Sequence, residues 1–254
     1  MEFNSIEETI IKKAVTDSGW MLSSVVSKGE YICSNSYFNE LATIKKFQAN
    51  TFGLHFNREL TSPDFLNETF QLKNKDGFFI FNTAESWNAT HLLKRAAELY
   101  SVLPDNPLEE YKKKLAEFSD KEIQKTEAER IVKERVGQDI YREALIKYWK
   151  GSCAVTGCTL NEALKASHAK PWKDCTSDSE RLNVYNGFLL TANLDALFDK
   201  GFISFTNEGL IMISSCMEPS DLRGLGLSSD MKLRWIEKEH LEFLDYHHKN
   251  IWKN

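Results

Sequence analysis

The chain has no surplus of positive charge, no paired cysteine motif, no long apolar run and little proline or glycine. It carries 32 Lys and Arg against 37 Asp and Glu, a formal net charge of -5 over 254 residues. That excludes a global polycation, the usual electrostatic footprint of a nucleic-acid binder. The imbalance is uneven: residues 1–120 hold 13 basic and 17 acidic side chains, residues 121–180 hold 11 and 10, and residues 181–254 hold 8 and 10. A local basic face on the middle segment remains compatible with these counts.

The five cysteines, Cys33, Cys153, Cys158, Cys175 and Cys216, form no CxxC pair. The Cys153/Cys158 spacing is wide for half a zinc knuckle, and no second tight pair follows. Reduced thiols packed in a cytoplasmic protein are the expectation. No stretch reaches 18 apolar residues, so no membrane span is expected, and the first 20 residues lack the apolar run of a secretory signal. With 5 Pro, 12 Gly, 42% hydrophobic and 27% charged residues, a collagen-like, mucin-like or wholly disordered chain is excluded. The length fits one large domain or two small ones, enough to bury a core without staples.

Ile6, Ile10, Ile11 and Val15 are spaced for one helix face over residues 3–18. Residues 20–33 read as a strand or mixed segment, and Tyr37 to Phe47 as a second helix. Residues 50–84 are aromatic-rich (Phe52, Phe56, Phe65, Phe70, Phe78, Phe79, Phe81), with Asp76-Gly77 marking a hairpin turn. Ser86 to Leu103 reads as helix, stopped by Pro104, Asn106 and Pro107. Ser119 with Glu122 fits a capping box for a charged helix, and Val136-Gly137 is expected to interrupt it. Ile140, Ala144, Leu145 and Tyr148 stripe the next helix, which ends at Gly151.

Beyond it, residues 163–170 and 186–190 read as the two arms of a hairpin, followed by a short helix over 192–199. Asn207-Glu208-Gly209 joins a further hairpin, and residues 229–249 read as a closing amphipathic helix. The fold class expected is α+β, with an unassigned domain over 1–110, a helical linker over 111–137 and a chemistry-bearing domain over 138–254.

The chemistry concentrates in residues 151–205. His168 lies in a modestly charged arm, Asn186 and Gly187 follow a polar, turn-rich stretch, and Asp195 and Asp199 stand four apart on one helix face. One imidazole and a carboxylate pair suit metal-assisted hydrolysis. The imidazole takes a proton from water, and a carboxylate holds a hard divalent ion against a phosphate oxygen.

These residues, in this order and spacing, resemble the HNH endonucleases of the ββα-metal fold, in particular the subgroup found in bacterial restriction-like proteins. The resemblance rests on the run Cys153 to Gly157, the run Ala166 to Trp172, Asn186-Gly187 and the run Leu194 to Gly201; Tyr246, His247 and His248 are similar to that subgroup's tail. It covers residues 151–214 closely and 138–251 more loosely. It implies a ββα-metal module with flanking helices, acting on double-stranded DNA, plain or modified.

By the resemblance, His168 is the general base, Asn186 orients that histidine and braces its loop, and Asp195 ligates the metal. Many relatives carry His at the Asp195 position; an oxygen ligand favours Mg²⁺ or Mn²⁺. The position before the base is often Asp, a further ligand, and here it is Ser167, a poor one, which leaves Asp199 as the other candidate, directly or through water. Lys170, Lys173 and Arg181 are the nearby cations. His247 and His248 either assist the site or pack the last helix.

Three readings stay open: a restriction or phage-defence endonuclease, a nuclease effector or toxin controlled by a partner, and a non-catalytic binding module on a decayed nuclease fold. Residues 1–110 show no comparable resemblance; they are expected to be either a reader of sequence, modification or backbone, the role such a nuclease needs, or a protein-binding or regulatory domain. Duplex symmetry suggests a two-fold dimer.

Overall fold

The computed structural model describes residues 1–27, 29–69, 72–119 and 127–254. Phe70 and Glu122, the second residue of the expected capping box, lie outside the described residues. The chain divides into two compact units, Met1–Ser101 and Val102–Asn254.

In the first unit, α1 (Ser5–Asp17) starts at a capping box. The Asn4 side chain accepts from the Ile6 and Glu7 backbone N–H groups, and the Glu7 carboxylate accepts from the Asn4 N–H. A six-stranded antiparallel sheet follows in the order β1-β2-β3-β4-β6-β5. Its strands are β1 (Met21–Ser27), β2 (Glu30–Ser34), β3 (Ala42–Gln48), β4 (Thr51–Phe56), β5 (Lys73–Lys75) and β6 (Phe78–Asn82). Short α2 (Pro63–Thr69) lies between β4 and β5, and α3 (Ser86–Val102) follows β6. Trp20, Phe38, Phe56 and Tyr100 form one buried aromatic cluster, where burial of large rings supplies most of the stabilisation.

The helix expected over Tyr37 to Phe47 is not formed. Ala42 and Ile44 are buried while Thr43 and Lys45 face outward, a period of two, and β3 is paired on both sides. The expected turn at Asp76-Gly77 joins β5 to β6, with both residues at positive φ (53° and 80°).

In the second unit, α4 (Asp105–Ser119) starts right after Pro104, because Pro107 falls in its first turn where a missing N–H costs nothing. α5 (Glu127–Tyr148) runs straight through Val136-Gly137, so the expected interruption does not occur. A Cβ at Gly137 would collide with the Trp172 ring; the glycine marks a close approach, not a break. Lys150 and Gly151, both left-handed, end the helix.

The antiparallel pair β7 (Leu164–His168) and β8 (Gly187–Thr191) leads directly into α7 (Ala192–Asp199), the ββα arrangement expected. Short α6 (Asp178–Leu182) lies in the connection between the two strands. A second hairpin, β9 (Ile203–Phe205) and β10 (Ile211–Ile213), precedes α8 (Pro219–Gly224) and α9 (Leu241–Asn250). The closing helix is shorter than the expected 229–249. Before it, Arg234 is tied to other segments, its guanidinium donating to the Cys153, Trp149 and Ser152 carbonyls and its N–H to the Ala154 carbonyl, and a capped 3-10 turn over Lys238–His240 leads into the helix.

Candidate active site

Residue for residue, β7 pairs with β8 so that Ser167 faces Phe188 and His168 faces Gly187. Gly187 is at φ 151°, and a Cβ there would collide with the Ser167 carbonyl and the Tyr141 hydroxyl. Only glycine allows the two strands and α5 to meet at this point.

The half-buried His168 imidazole is held on three sides. Its Nε2 lies 2.9 Å from the Arg181 carbonyl oxygen. A carbonyl only accepts, so Nε2 carries the hydrogen and Nδ1 the lone pair. Nδ1 has no protein partner among the described residues. One ring face stacks on Tyr141 (centroids 3.8 Å apart, planes 21° apart), and the Trp172 ring stands perpendicular to the imidazole with centroids 5.8 Å apart. Burial pushes the imidazole down to about 4, against the opposing effect of the Arg181 hydrogen bond. The ring is therefore neutral at pH 7, the state a base needs.

Asn186 is fully buried. Its Oδ1 accepts from the Lys170 N–H at 2.8 Å, and its Nδ2 donates to the Lys170 and Glu180 carbonyls at 3.2 and 3.1 Å. It ties together the loop whose Arg181 carbonyl anchors His168. No bond between the Asn186 side chain and the His168 ring is present among the described residues; the connection runs through the loop.

Ser167, Asp195 and Asp199 come together on the α7 side. The buried Ser167 Oγ donates to Asp199 Oδ1 at 3.4 Å, and it also lowers the Asp195 carboxyl. Asp195 is half-buried in the first turn of α7. Asp199 is exposed as a residue, but its carboxyl turns toward Ser167. Burial raises both carboxyls, and the Asp195 charge raises that of Asp199 further. Two carboxylates that destabilise each other's charge form a place where a cation is favoured.

Among the described residues, no group of three or more His, Cys, Asp and Glu side chains is placed to hold a metal ion. Two carboxylates and a hydroxyl are an all-oxygen set, which fits Mg²⁺ or Mn²⁺ completed by water and phosphate, and fits zinc poorly.

Of the cations singled out, Lys170 and Arg181 are committed elsewhere, while Lys165 and Lys200 lie close enough to lower the Asp195 and Asp199 carboxyls respectively. Lys170 Nζ is bound to both Glu180 oxygens at 2.9 Å. Arg181 donates to the Trp172 and Cys175 carbonyls and to Asp178; Lys173 is exposed. His247 is buried, stacked on Phe198, with Ser204 and the Phe198 carbonyl on its two nitrogens, and His248 bonds the Phe205 carbonyl. Both pack the last helix. Cys153 and Cys158 are free thiols. The Cys153 Sγ accepts from the Val155 and Thr156 N–H groups.

Residues 153–206 match the family model described as HNH endonuclease. The match begins at the Cys153 turn, takes in β7, β8 and α7, and ends just after β9. It is consistent with an HNH-type endonuclease domain in the C-terminal region, built on the ββα scaffold seen in the structure. No curated protein matches the chain. No helix of the described residues is long and apolar enough to cross a membrane.

Tyr141 lies outside the matched segment and was not among the residues singled out from the sequence. Its one signal there is Gly137, four positions earlier on the same helix face.

Proposed function

We propose that this protein is a metal-dependent endonuclease that hydrolyses phosphodiester bonds of double-stranded DNA. The observation that carries the reading is the His168 imidazole: neutral, its Nε2–H fixed on the Arg181 carbonyl and its Nδ1 lone pair free. Nδ1 takes the proton from the attacking water. Asn186 keeps the 170–181 loop, and with it the Arg181 carbonyl, in place. Asp195, with Asp199 and the Ser167 hydroxyl, is the set that would hold Mg²⁺ or Mn²⁺. When bound, the ion supplies charge neutralisation at the scissile phosphate and the leaving oxygen.

The Met1–Ser101 unit is the proposed selector of target, plain or modified DNA, since phosphate contacts position without specifying. A cytoplasmic role in restriction or phage defence, acting as a dimer on the two strands, completes the reading. The test is a cleavage panel of plain, methylated, hydroxymethylated and phosphorothioated duplexes with Mg²⁺ and with Mn²⁺. Cleavage by wild type and none by His168→Ala, with DNA binding intact, is the expected result; equal cleavage by His168→Ala sinks the assigned base. Ser167 in place of a carboxylate motivates a second reading, a non-catalytic binding module. Absence of Mn²⁺ binding in calorimetry would favour it.

A further inference from the structure

α5 lies outside the HNH-matched residues 153–206, yet it forms one wall around the His168 ring. Gly137 and Tyr141 stand one turn apart on the same face of the helix. The bare backbone at Gly137 admits the Trp172 ring, which meets His168 at right angles. Tyr141, one turn on, lays its ring flat on the imidazole. Its hydroxyl donates to the Asn186 carbonyl at 2.8 Å, an oxygen that also accepts from the Ala169 N–H at 3.1 Å. The tyrosine thus touches both strands: the ring of His168 on β7 and the backbone just before β8. Gly187 leaves the space that the hydroxyl needs.

We infer that Tyr141 is a positioning residue for His168, the plate against which the imidazole is held while Arg181 fixes its far nitrogen. The inference rests on the general-base reading of His168. The Arg181 carbonyl alone leaves the ring free to swing about that bond; the stacked tyrosine and the perpendicular Trp172 ring remove that freedom. A base displaced by about 1 Å loses on the order of a hundredfold in rate.

The test uses the full chain, wild type and the variants Tyr141→Phe, Tyr141→Met and His168→Ala. Nuclear magnetic resonance of the His168 ring protons, assigned by their loss in His168→Ala, reads the stack without any need for cleavage. They are expected upfield in wild type and Tyr141→Phe, and at ordinary shifts in Tyr141→Met. In cleavage of a duplex that wild type cuts, Tyr141→Met is expected to lose about ten- to a hundredfold in kcat with KM little changed. Tyr141→Phe, which keeps the ring, is expected to recover most of that loss.

Ordinary ring shifts in wild type overturn the inference even if Tyr141→Met fails to fold. So does a folded Tyr141→Met that cuts like wild type while His168→Ala is inactive. A loss in Tyr141→Phe equal to that in Tyr141→Met assigns the effect to the hydroxyl and overturns the stacking role. If His168→Ala cuts normally, the base reading itself has failed, a result separate from the ring shifts.

Discussion

Acidifying the cleavage reaction from about pH 7 to pH 5 separates the His168 imidazole from an ordinary one. A histidine in water titrates near 6.5 and is only about 3% neutral at pH 5. Burial holds His168 down to about 4, so about 90% of it keeps its Nδ1 lone pair at pH 5. The difference in available base is about thirtyfold. Activity limited by this base is therefore expected to stay level from about pH 8 to pH 5 and to fall only below about pH 4.5. Asp195 and Asp199 complicate the experiment, because their raised carboxyls take up protons as pH falls and would release any cation they hold. The assay is plasmid cleavage at several Mn²⁺ concentrations for each pH, extrapolated to saturation, so that loss of metal is removed from the profile. A metal-saturated kcat that falls tenfold or so between pH 7 and 5.5, with an apparent midpoint near 6.5, refutes the argument.

Gly187→Ala should cost about 3 kcal/mol or more, because its Cβ would push β8 from the Ser167 carbonyl and from Tyr141; thermal unfolding measures it, and a change within error would contradict the packing. Asn186→Ala strands the Lys170 N–H and frees the loop, so about 2 kcal/mol of stability should go, and kcat should fall while Mn²⁺ affinity by calorimetry holds. Asp199→Asn removes one of two carboxylates that oppose each other's charge; the metal-free protein should melt higher and bind Mn²⁺ about tenfold more weakly or worse. His240 and His247, buried, are held at about 3 and about 4. Their folded values lie below the unfolded 6.5, so the unfolded chain binds more protons between the two. Their stabilisation is complete above about pH 6.5 and is lost as pH falls toward 4, at about 2 kcal/mol for each imidazole between pH 7.5 and 5. Urea unfolding followed by tryptophan fluorescence reads this, and a stability independent of pH over that window would refute it.

What could be read from the sequence was local. The β7–β8–α7 order was legible through the resemblance carried by His168, Asn186 and Asp195 in their spacing; the arms show no clean period of two, and β8 is buried along most of its length. The α3 and α1 helices were legible from local signals, although Ile6, expected on the apolar face of α1, is exposed while Glu7 is buried. The errors arose where a distant partner decided the outcome. Ala42 to Phe47 has enough apolar residues for a helix face, and only the strands on both sides of it make the alternation of Ala42, Thr43 and Ile44 decisive. Gly137 reads as a helix breaker until Trp172, far along the chain, is seen to need its bare backbone.

The same rule explains why the candidate site was only half visible. Asp195 and Asp199 are carboxylates four apart on a helix already recognised, so their type and spacing advertised them, whereas Ser167 was singled out only through the resemblance, at a position that often carries Asp. The groups that set the character of His168 have no such signature. The Arg181 carbonyl is backbone, and every residue has one. Tyr141 belongs to an apolar helix stripe in which a core tyrosine is the ordinary expectation. A site whose acceptor-bearing residues lie within one short motif, but whose aromatic wall comes from a helix outside it, can keep its motif letters while losing its base geometry. A chain that retains His168, Asn186 and Asp195 but places a small aliphatic residue at Tyr141 should therefore bind metal yet cleave poorly. Motif letters alone would not distinguish it from an active enzyme.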